Sequence, residues 1–348
     1  MFLPFLSRLL LLLALSSSWA SMAFARDFSN WCQLKPDPAT AGGLLQRSER
    51  QLDTPPNPLP RIHTEGTLPH QGIFDQSVKA KQDWQRMRDF ALAWYYSSDR
   101  RYLDALAHYL DAWTEIYQLS FNPIDETDLD ALIDSYAISS RSLPAATREQ
   151  SILFLRHMVT GYIQQIRQAR KPLRATFINN WNSHRIKLIT LGAVALQDAT
   201  LFRSASELYL EQIGNNIDSQ GQTWDFVERD ALHYVTYDLE PLTRAAIAAR
   251  QAGEDWLPRK GRQGGSLAMA LAWLQPYAEK RLEHQEFVHS QVQFDMVRRD
   301  AGLPGYAGNW QVATSRNLFA LASRLDPRWR QLNVSSGHAP DWILLCWP

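Results

Sequence analysis

The chain has very little cysteine: two in 348 residues, Cys32 near the start and Cys346 near the end. Clustered thiols are therefore absent, and with no HExxH pattern or Cys/His cluster a metal centre is not expected. A net charge excess is missing too. The 36 basic residues balance 36 acidic ones, which excludes the strong basic surplus of a protein held to nucleic acid by general electrostatics. Beyond the N-terminus no apolar run reaches the roughly 18 residues of a membrane span, so stable membrane insertion is not expected. No Gly-rich phosphate loop occurs, because Gly261 to Gly265 has neither Walker spacing nor a preceding strand. A Gly-x-Ser-x-Gly elbow is also absent. No cofactor is implied.

What is present is apolar and aromatic. At 45% hydrophobic residues, with 13 Trp and 12 Tyr, the chain has enough material for a core. Most of those rings belong in it, and a few are free to stack on flat ligand faces. Met1 to Ala25 carries Arg8, an apolar run from Leu9 to Leu15 and the small-x-small end Ala23-Phe24-Ala25. This reads as a secretory signal peptide cut after Ala25, giving a periplasmic or secreted protein. In that oxidising setting Cys32 and Cys346 are expected to join the two termini. Closing so long a loop contributes about 4 to 5 kcal/mol in the chain-entropy view.

Residues 26–74 read as an irregular N-terminal arm, since Asp53-Thr54-Pro55-Pro56-Asn57-Pro58-Leu59-Pro60 cannot continue a helix. Within it His63 and His70 sit among turn formers and are candidate lining residues of a cleft. Residues 75–348 read as one helical domain. Trp84, Met87, Ala91, Trp94 and Tyr95 mark one helix face, and Leu103, Leu106, Leu110, Trp113 and Tyr117 another, with Ser97-Ser98-Asp99 as turn and cap. Further periodic segments follow to Leu321, with no run of alternating β-branched residues between them. The fold class is therefore all-α, built from stacked helical hairpins, and the number of hairpins favours a solenoid closing toward a toroid.

Two polar stretches break this apolar pattern. Asn179-Asn180-Trp181-Asn182-Ser183-His184-Arg185 opens one helix with more hydrogen-bonding capacity than a helix start needs. Arg229, His233, Tyr234 and Tyr237 in the second stretch are spaced to share helical faces. A buried Arg and His require partners, so the set implies a polar network or a water-filled cleft. The two stretches are expected to meet across that cleft. A third cluster, Asn122-Pro123-Ile124-Asp125-Glu126-Thr127-Asp128, reads first as an acidic helix start. Its alternative is a carboxylate pair, Asp125 or Asp128, for glycoside hydrolysis.

With these residues in view, the chain resembles the alginate lyase family of the mannuronate lyase type, whose members are incomplete α/α toroids. Ala91-Leu92-Ala93-Trp94-Tyr95 through Trp113 looks like the family's first hairpin. Asn179-Asn180 looks like its Asn-Asn-His motif, and Arg229 through Ala231-Leu232-His233-Tyr234 to Leu239-Glu240-Pro241-Leu242 looks like its Arg, Ala-Leu, Tyr and Leu-x-Pro-Leu segment. The resemblance implies a polysaccharide lyase, acting as a monomer on an acidic uronate glycan by metal-independent β-elimination. It implies that Asn180 and Arg229 neutralise the uronate carboxylate and that Tyr234 is the catalytic tyrosine. Trp181 stands where the family has its histidine, and His184 and His233 are both candidates for that role. Asn179, Trp181, Asn182, Arg185, Tyr237, His63 and His70 are the expected substrate-binding set. A glycan-binding protein without activity and an α/α glycoside hydrolase are the competing readings.

Overall fold

The structure, a computed structural model, describes residues 38–346. The signal segment and Cys32, and with it the expected pairing to Cys346, lie outside the described residues. Fourteen α-helices are found there: α1 (Pro38–Glu49), α2 (Phe74–Ser97), α3 (Arg100–Ile116), α4 (Leu129–Ser139), α5 (Ala145–Arg167), α6 (Asn180–Ala195), α7 (Ala199–Asn216), α8 (Trp224–Arg229), α9 (Leu232–Gln251), α10 (Leu267–Ala278), α11 (Gln293–Asp300), α12 (Arg316–Leu325), α13 (Arg330–Ser336) and α14 (Asp341–Cys346). Among the described residues no strand forms, only two isolated bridges.

Side-chain caps set several of the boundaries. Asp99 accepts from the Arg101 N–H at the turn between α2 and α3, Asp198 starts α7 and Ser266 starts α10 in the same way, each satisfying N–H groups that the helix cannot. Five hairpins result: α2/α3, α4/α5, α6/α7, α9/α10 and α12/α13. In each the first helix also packs on the first helix of the next, giving an inner row α2, α4, α6, α9, α12. The burial pattern follows from that placement. On α6 every residue from Asn182 to Val194 is buried, as an element enclosed on all sides must be. On outer α3 the stripe Leu103, Leu106, Leu110 and Trp113 faces inward while Arg100 and Asp104 stay outside. Among the described residues the two end helices of the inner row, α2 and α12, do not pack closely on each other. Helix α14 touches α2 and α12 and fills the gap between the last inner helix and the first.

The arm is less irregular than its composition implies. Residues 50–73 carry no helix, but residues 38–49 form α1. Pro38 is tolerated at a first helical position, and Ala41, Leu44 and Ser48 repeat at helical spacing on the buried face. The Gly42-Gly43 pair masks that periodicity in sequence. Arg47 on α1 binds both Asp89 of α2 and Asp341 of α14, at 3.1 and 3.0 Å, so the arm helix ties the two ends of the ring together.

Helix α9 starts at Ala231, which has no capping side chain. Its cap comes from far along the chain: the carboxylate of Glu286 accepts from the His233 N–H at 3.1 Å. Burial is the larger influence on Glu286, with the Asp230 charge adding to it, and pushes its pKa up to about 8 against the N–H groups of His233 and Leu232.

Two expectations follow for stability. A Cβ at Gly192 on α6 would lie 2.4 Å from Val159 Cγ2 on α5. Gly192→Ala would gain up to about 1 kcal/mol of helix propensity, but overpacking costs about 1 to 3 kcal/mol. The urea midpoint should fall, and an unchanged or higher midpoint would refute this close helix contact. For Glu286 the folded pKa lies above the unfolded value of about 4.3, so its contribution is fully present below about pH 4 and is lost as pH rises through about 8. The denaturation midpoint should decline over that range in the parent protein. Glu286→Gln should flatten the decline, and a parallel decline in the variant would remove Glu286 from the account.

Candidate active site

The N-terminal ends of α6 and α9 lie side by side, because these two inner helices pack directly on each other. Asn179 caps α6 by accepting from the Trp181 N–H at 3.0 Å. That leaves Asn180 on the first turn, facing α8. Its backbone N–H and its amide both donate to the Asp225 carboxylate, at 2.7 Å and at 2.9 and 3.0 Å. Asp225 is fully buried, and burial raises its pKa against the pull of Arg229 and the Asn180 N–H groups. One helical turn on, Arg229 donates from Nε to the same carboxylate at 3.2 Å and from Nη1 to Asp295 of α11.

Between α8 and α9, Asp230 adopts a left-handed conformation with φ of 49°, which Asp tolerates better than most residues. The sharp turn brings Tyr234 back against Arg229, whose guanidinium lies 3.8 Å from the ring centre. The Tyr234 hydroxyl accepts a hydrogen bond from Arg298 Nη1 at 2.7 Å. Only 6% of Tyr234 is exposed. Burial pushes its phenol well above the ordinary range, while Arg229 and Arg298 pull in the opposite direction. His233 stands beside it with ring centres 5.2 Å apart. Burial first, then the charges of Arg298 and Arg229, bring the His233 pKa down to about 4, so its imidazole is neutral at neutral pH.

Asn180, Arg229, His233 and Tyr234 thus come together in one network. His184 does not join it. It lies a turn deeper on α6, its Nδ1 hydrogen-bonded to Thr127 Oγ1 at 2.6 Å, and lines a central cavity of about 240 Å³ with Arg88, Asp130, Lys187, Glu240 and Arg244. Burial and the Lys187 charge hold its pKa well below the usual value. Tyr237 stands between the two places, 6.3 Å from the Tyr234 ring and 4.4 Å from the His184 ring. Pro241 inside α9 removes the N–H that would bond the Tyr237 carbonyl, and this carbonyl is a polar neighbour of the His184 ring.

The remaining candidates have structural partners. Asn182 donates to Gln212 at 2.8 Å, and Arg185 to Gln165 at 2.7 Å and to the Thr176 carbonyl. Trp181 is half-buried near Arg185, 6.0 Å from its guanidinium. His63 is bound to Asp125 at 3.0 Å, and His70 is exposed and bound to Asp75 at 2.7 Å.

Residues 122–128 do lead into a helix start, with Asp128 at the N-cap position of α4 and Asp130 in its first turn, but these carboxylates do not cap it. Asp128 makes no side-chain cap to α4 and pairs with Lys81 at 2.6 Å. Asp125 instead accepts the N–H groups of Thr64 and Glu65, and Glu126 accepts from the Tyr117 hydroxyl at 2.9 Å and from Tyr162. These carboxylates pin loops to the core, which leaves Asp125 no free role in hydrolysis. Among the described residues no group of three or more His, Cys, Asp or Glu is placed to hold a metal ion. Sequence reasoning missed Asp225, Asp295 and Arg298. The four-residue step from Asp225 to Arg229 is a visible signal, whereas nothing local points to Arg298.

The family model for alginate lyase matches residues 27–284. A search of curated proteins finds no match. Solved structures are similar throughout: alginate lyase A1-III from Sphingomonas species A1 superposes with a TM-score of 0.63 at 17% identity, covering 96% of this chain and 100% of that one. An alginate lyase from Bacteroides ovatus gives 0.63 at 15% identity, over 89% and 93%. A variant of A1-III complexed with a tetrasaccharide gives 0.63 at 16%, over 94% and 99%. At these identities the structures establish the shared toroid, and the match over most of the sequence establishes descent: the chain belongs to the alginate lyase family.

Proposed function

We propose that this polysaccharide lyase cleaves an acidic, uronate-containing glycan, alginate or polymannuronate in the first place, by β-elimination without a metal. The observation that carries the reading is the arrangement around Tyr234, a single buried phenol with one guanidinium against its ring and a second on its oxygen. The C5 proton of a uronate is only weakly acidic, and it can be removed when the adjacent carboxylate is neutralised so that an enolate-like intermediate forms. Arg229 and Asn180, fixed by Asp225, are the groups for that task. Tyr234 acts from its phenolate form, its own proton having been released to solvent beforehand. It takes the C5 proton and passes it to the departing glycosidic oxygen, which regenerates the phenolate for the next turnover. The C4–O bond then breaks and a C4–C5 double bond remains. His233, its ring centre 5.2 Å from that of Tyr234 and its pKa lowered to about 4, stays a neutral neighbour of the phenol.

The tetrasaccharide bound by a variant of A1-III supports an oligomeric glycan as ligand. The leader read from residues 1–25 supports a periplasmic or secreted setting, and no described helix is long and apolar enough to cross a membrane. No second chain is needed to complete the Tyr234 network, which supports a monomer.

Incubation with polymannuronate should release products that absorb in the ultraviolet as unsaturated uronates. Binding of polymer without any such product, from alginate or another polyuronate, would replace this reading with that of a glycan-binding protein. Tyr234→Phe should lower turnover by about 10²- to 10⁴-fold, with stability lowered by no more than about 1 to 3 kcal/mol because Arg298 loses its acceptor. A variant with full rate would remove Tyr234 from the chemistry.

A further inference from the structure

Arg298 has been given no role by any motif. It lies on α11, beyond the residues 27–284 matched to the family, and 64 positions after the tyrosine it touches. Resting on the reading of Tyr234 as the proton-transfer group, we infer that Arg298 is the positioning residue of that tyrosine, holding its oxygen as a hydrogen-bond acceptor and favouring its phenolate.

The geometry carries this in three steps. First, the charge of Arg298 is not consumed by a carboxylate. Its nearest one, Asp295, is occupied by Arg229 on one oxygen and by Ser290 on the other at 2.8 Å, and Arg298 meets it only at 3.9 Å. Second, the guanidinium is fixed by rings, 4.4 Å from the centre of Phe294 and 5.3 Å from that of Tyr306, contacts that orient a cation without neutralising it. Third, the donor is an N–H and the Tyr234 oxygen is the acceptor. The phenol proton is then turned away from Arg298, and the oxygen keeps this donor when the proton is lost. An arginine cannot take that proton itself, since it stays charged at all working pH values.

The segment bearing Arg298 is stapled where this contact needs it. The Asp230 carbonyl accepts the Phe287 N–H at 2.9 Å and its carboxylate accepts the His289 N–H at 3.0 Å. The Glu228 carbonyl accepts from Gln291 at 2.9 Å, and Tyr306 stacks on Phe287 with ring centres 5.0 Å apart. The turn that aims Tyr234 at Arg229 is therefore the anchor for the segment that carries Arg298. Among the described residues the titratable or charged groups facing the phenol are Arg229 at the end of α8, His233 and Tyr237 on α9, Asp295 and Arg298 on α11, Tyr306 beyond it, and Glu286 at the His233 backbone. Burial works against the phenolate and the two arginines work for it. Removing one arginine leaves burial less opposed, so the phenol should hold its proton to higher pH.

The test uses Arg298→Gln and Arg298→Lys in the full chain, with thermal melting to confirm that both fold. Fluorotyrosine placed at position 234 and followed by fluorine NMR reads the phenol titration without substrate. In Arg298→Gln that titration should move upward by about one pH unit or more, and in Arg298→Lys by less, because the charge is kept. In the parallel rate measurement on polymannuronate, kcat should fall about tenfold or more at neutral pH, in step with the phenol's shift, with KM little changed. The rising limb of the pH profile should move upward as the phenol does. A titration and a pH profile that both coincide with the parent's would overturn the inference, even where the melting temperature drops. If Arg298→Gln does not fold, Arg298→Met, which also removes the charge, takes its place, and a parent-like titration and pH profile in that variant overturn the inference as well. A parent protein inactive on every polyuronate would instead defeat the lyase substrate reading, while the NMR titration would still decide whether Arg298 controls Tyr234.

Discussion

The arrangement at the top of the inner helices depends on one buried carboxylate. Asp225 sits with no solvent contact and receives the first backbone N–H of α6, the Asn180 amide and Arg229 Nε at once. A buried charge without partners costs far more than a hydrogen bond returns, so three donors around one carboxylate are the condition for its being there. That condition fixes geometry. It sets the start of α6 against the end of α8, and through Arg229 it reaches Asp295 on α11. Asn180, Arg229 and Tyr234 belong to three helices, yet their relative positions follow from this single contact.

Around it the toroid supplies rigidity rather than chemistry. Inner helices enclosed on every side have their N-terminal turns held by packing below and by borrowed polar groups above, as Glu286 does for α9. The ring's closure is also polar. Asp134 on α4 accepts from Arg88 of α2 at 3.1 Å and from Arg244 of α9 at 2.9 Å, and both guanidiniums stack on Trp342 of α14, at 4.1 and 4.9 Å. The C-terminal helix is thus clamped into the gap of an otherwise open ring, and the cavity lined by His184 lies behind it. Two imidazoles that look equivalent in sequence are separated by this layering. His233 is beside the phenol, and His184 lines the cavity inside the ring.

Much of the fold was legible because it is written locally. The steps of three and four from Leu103 to Trp113, the Asp99 cap and the polar starts of α6 and α9 are all short-range signals, and the structure places helices on them. Helix α1 escaped because its buried face holds only two apolar residues, Ala41 and Leu44, beside Ser48, and two glycines dilute that pattern further. The acidic run at 125–128 does mark the start of α4, but the role of its carboxylates was not legible, because one that caps a helix and one that ties down a distant loop look the same along the chain. Asp125 chose the loop at residues 63–65.

The sequence by itself determined the helical architecture and marked Asn180, Arg229 and Tyr234 as polar residues at helix ends, since periodicity and caps involve neighbours a turn or two apart. Only the tertiary structure decided which of two histidines stands at the phenol, what holds Asn180 and Arg229, and that a second arginine, 64 residues downstream, donates to the Tyr234 oxygen. The physical reason is range. A helix reports its own faces in its sequence, but the partner of a buried charge or phenol is chosen by which remote segment the fold brings within hydrogen-bonding distance.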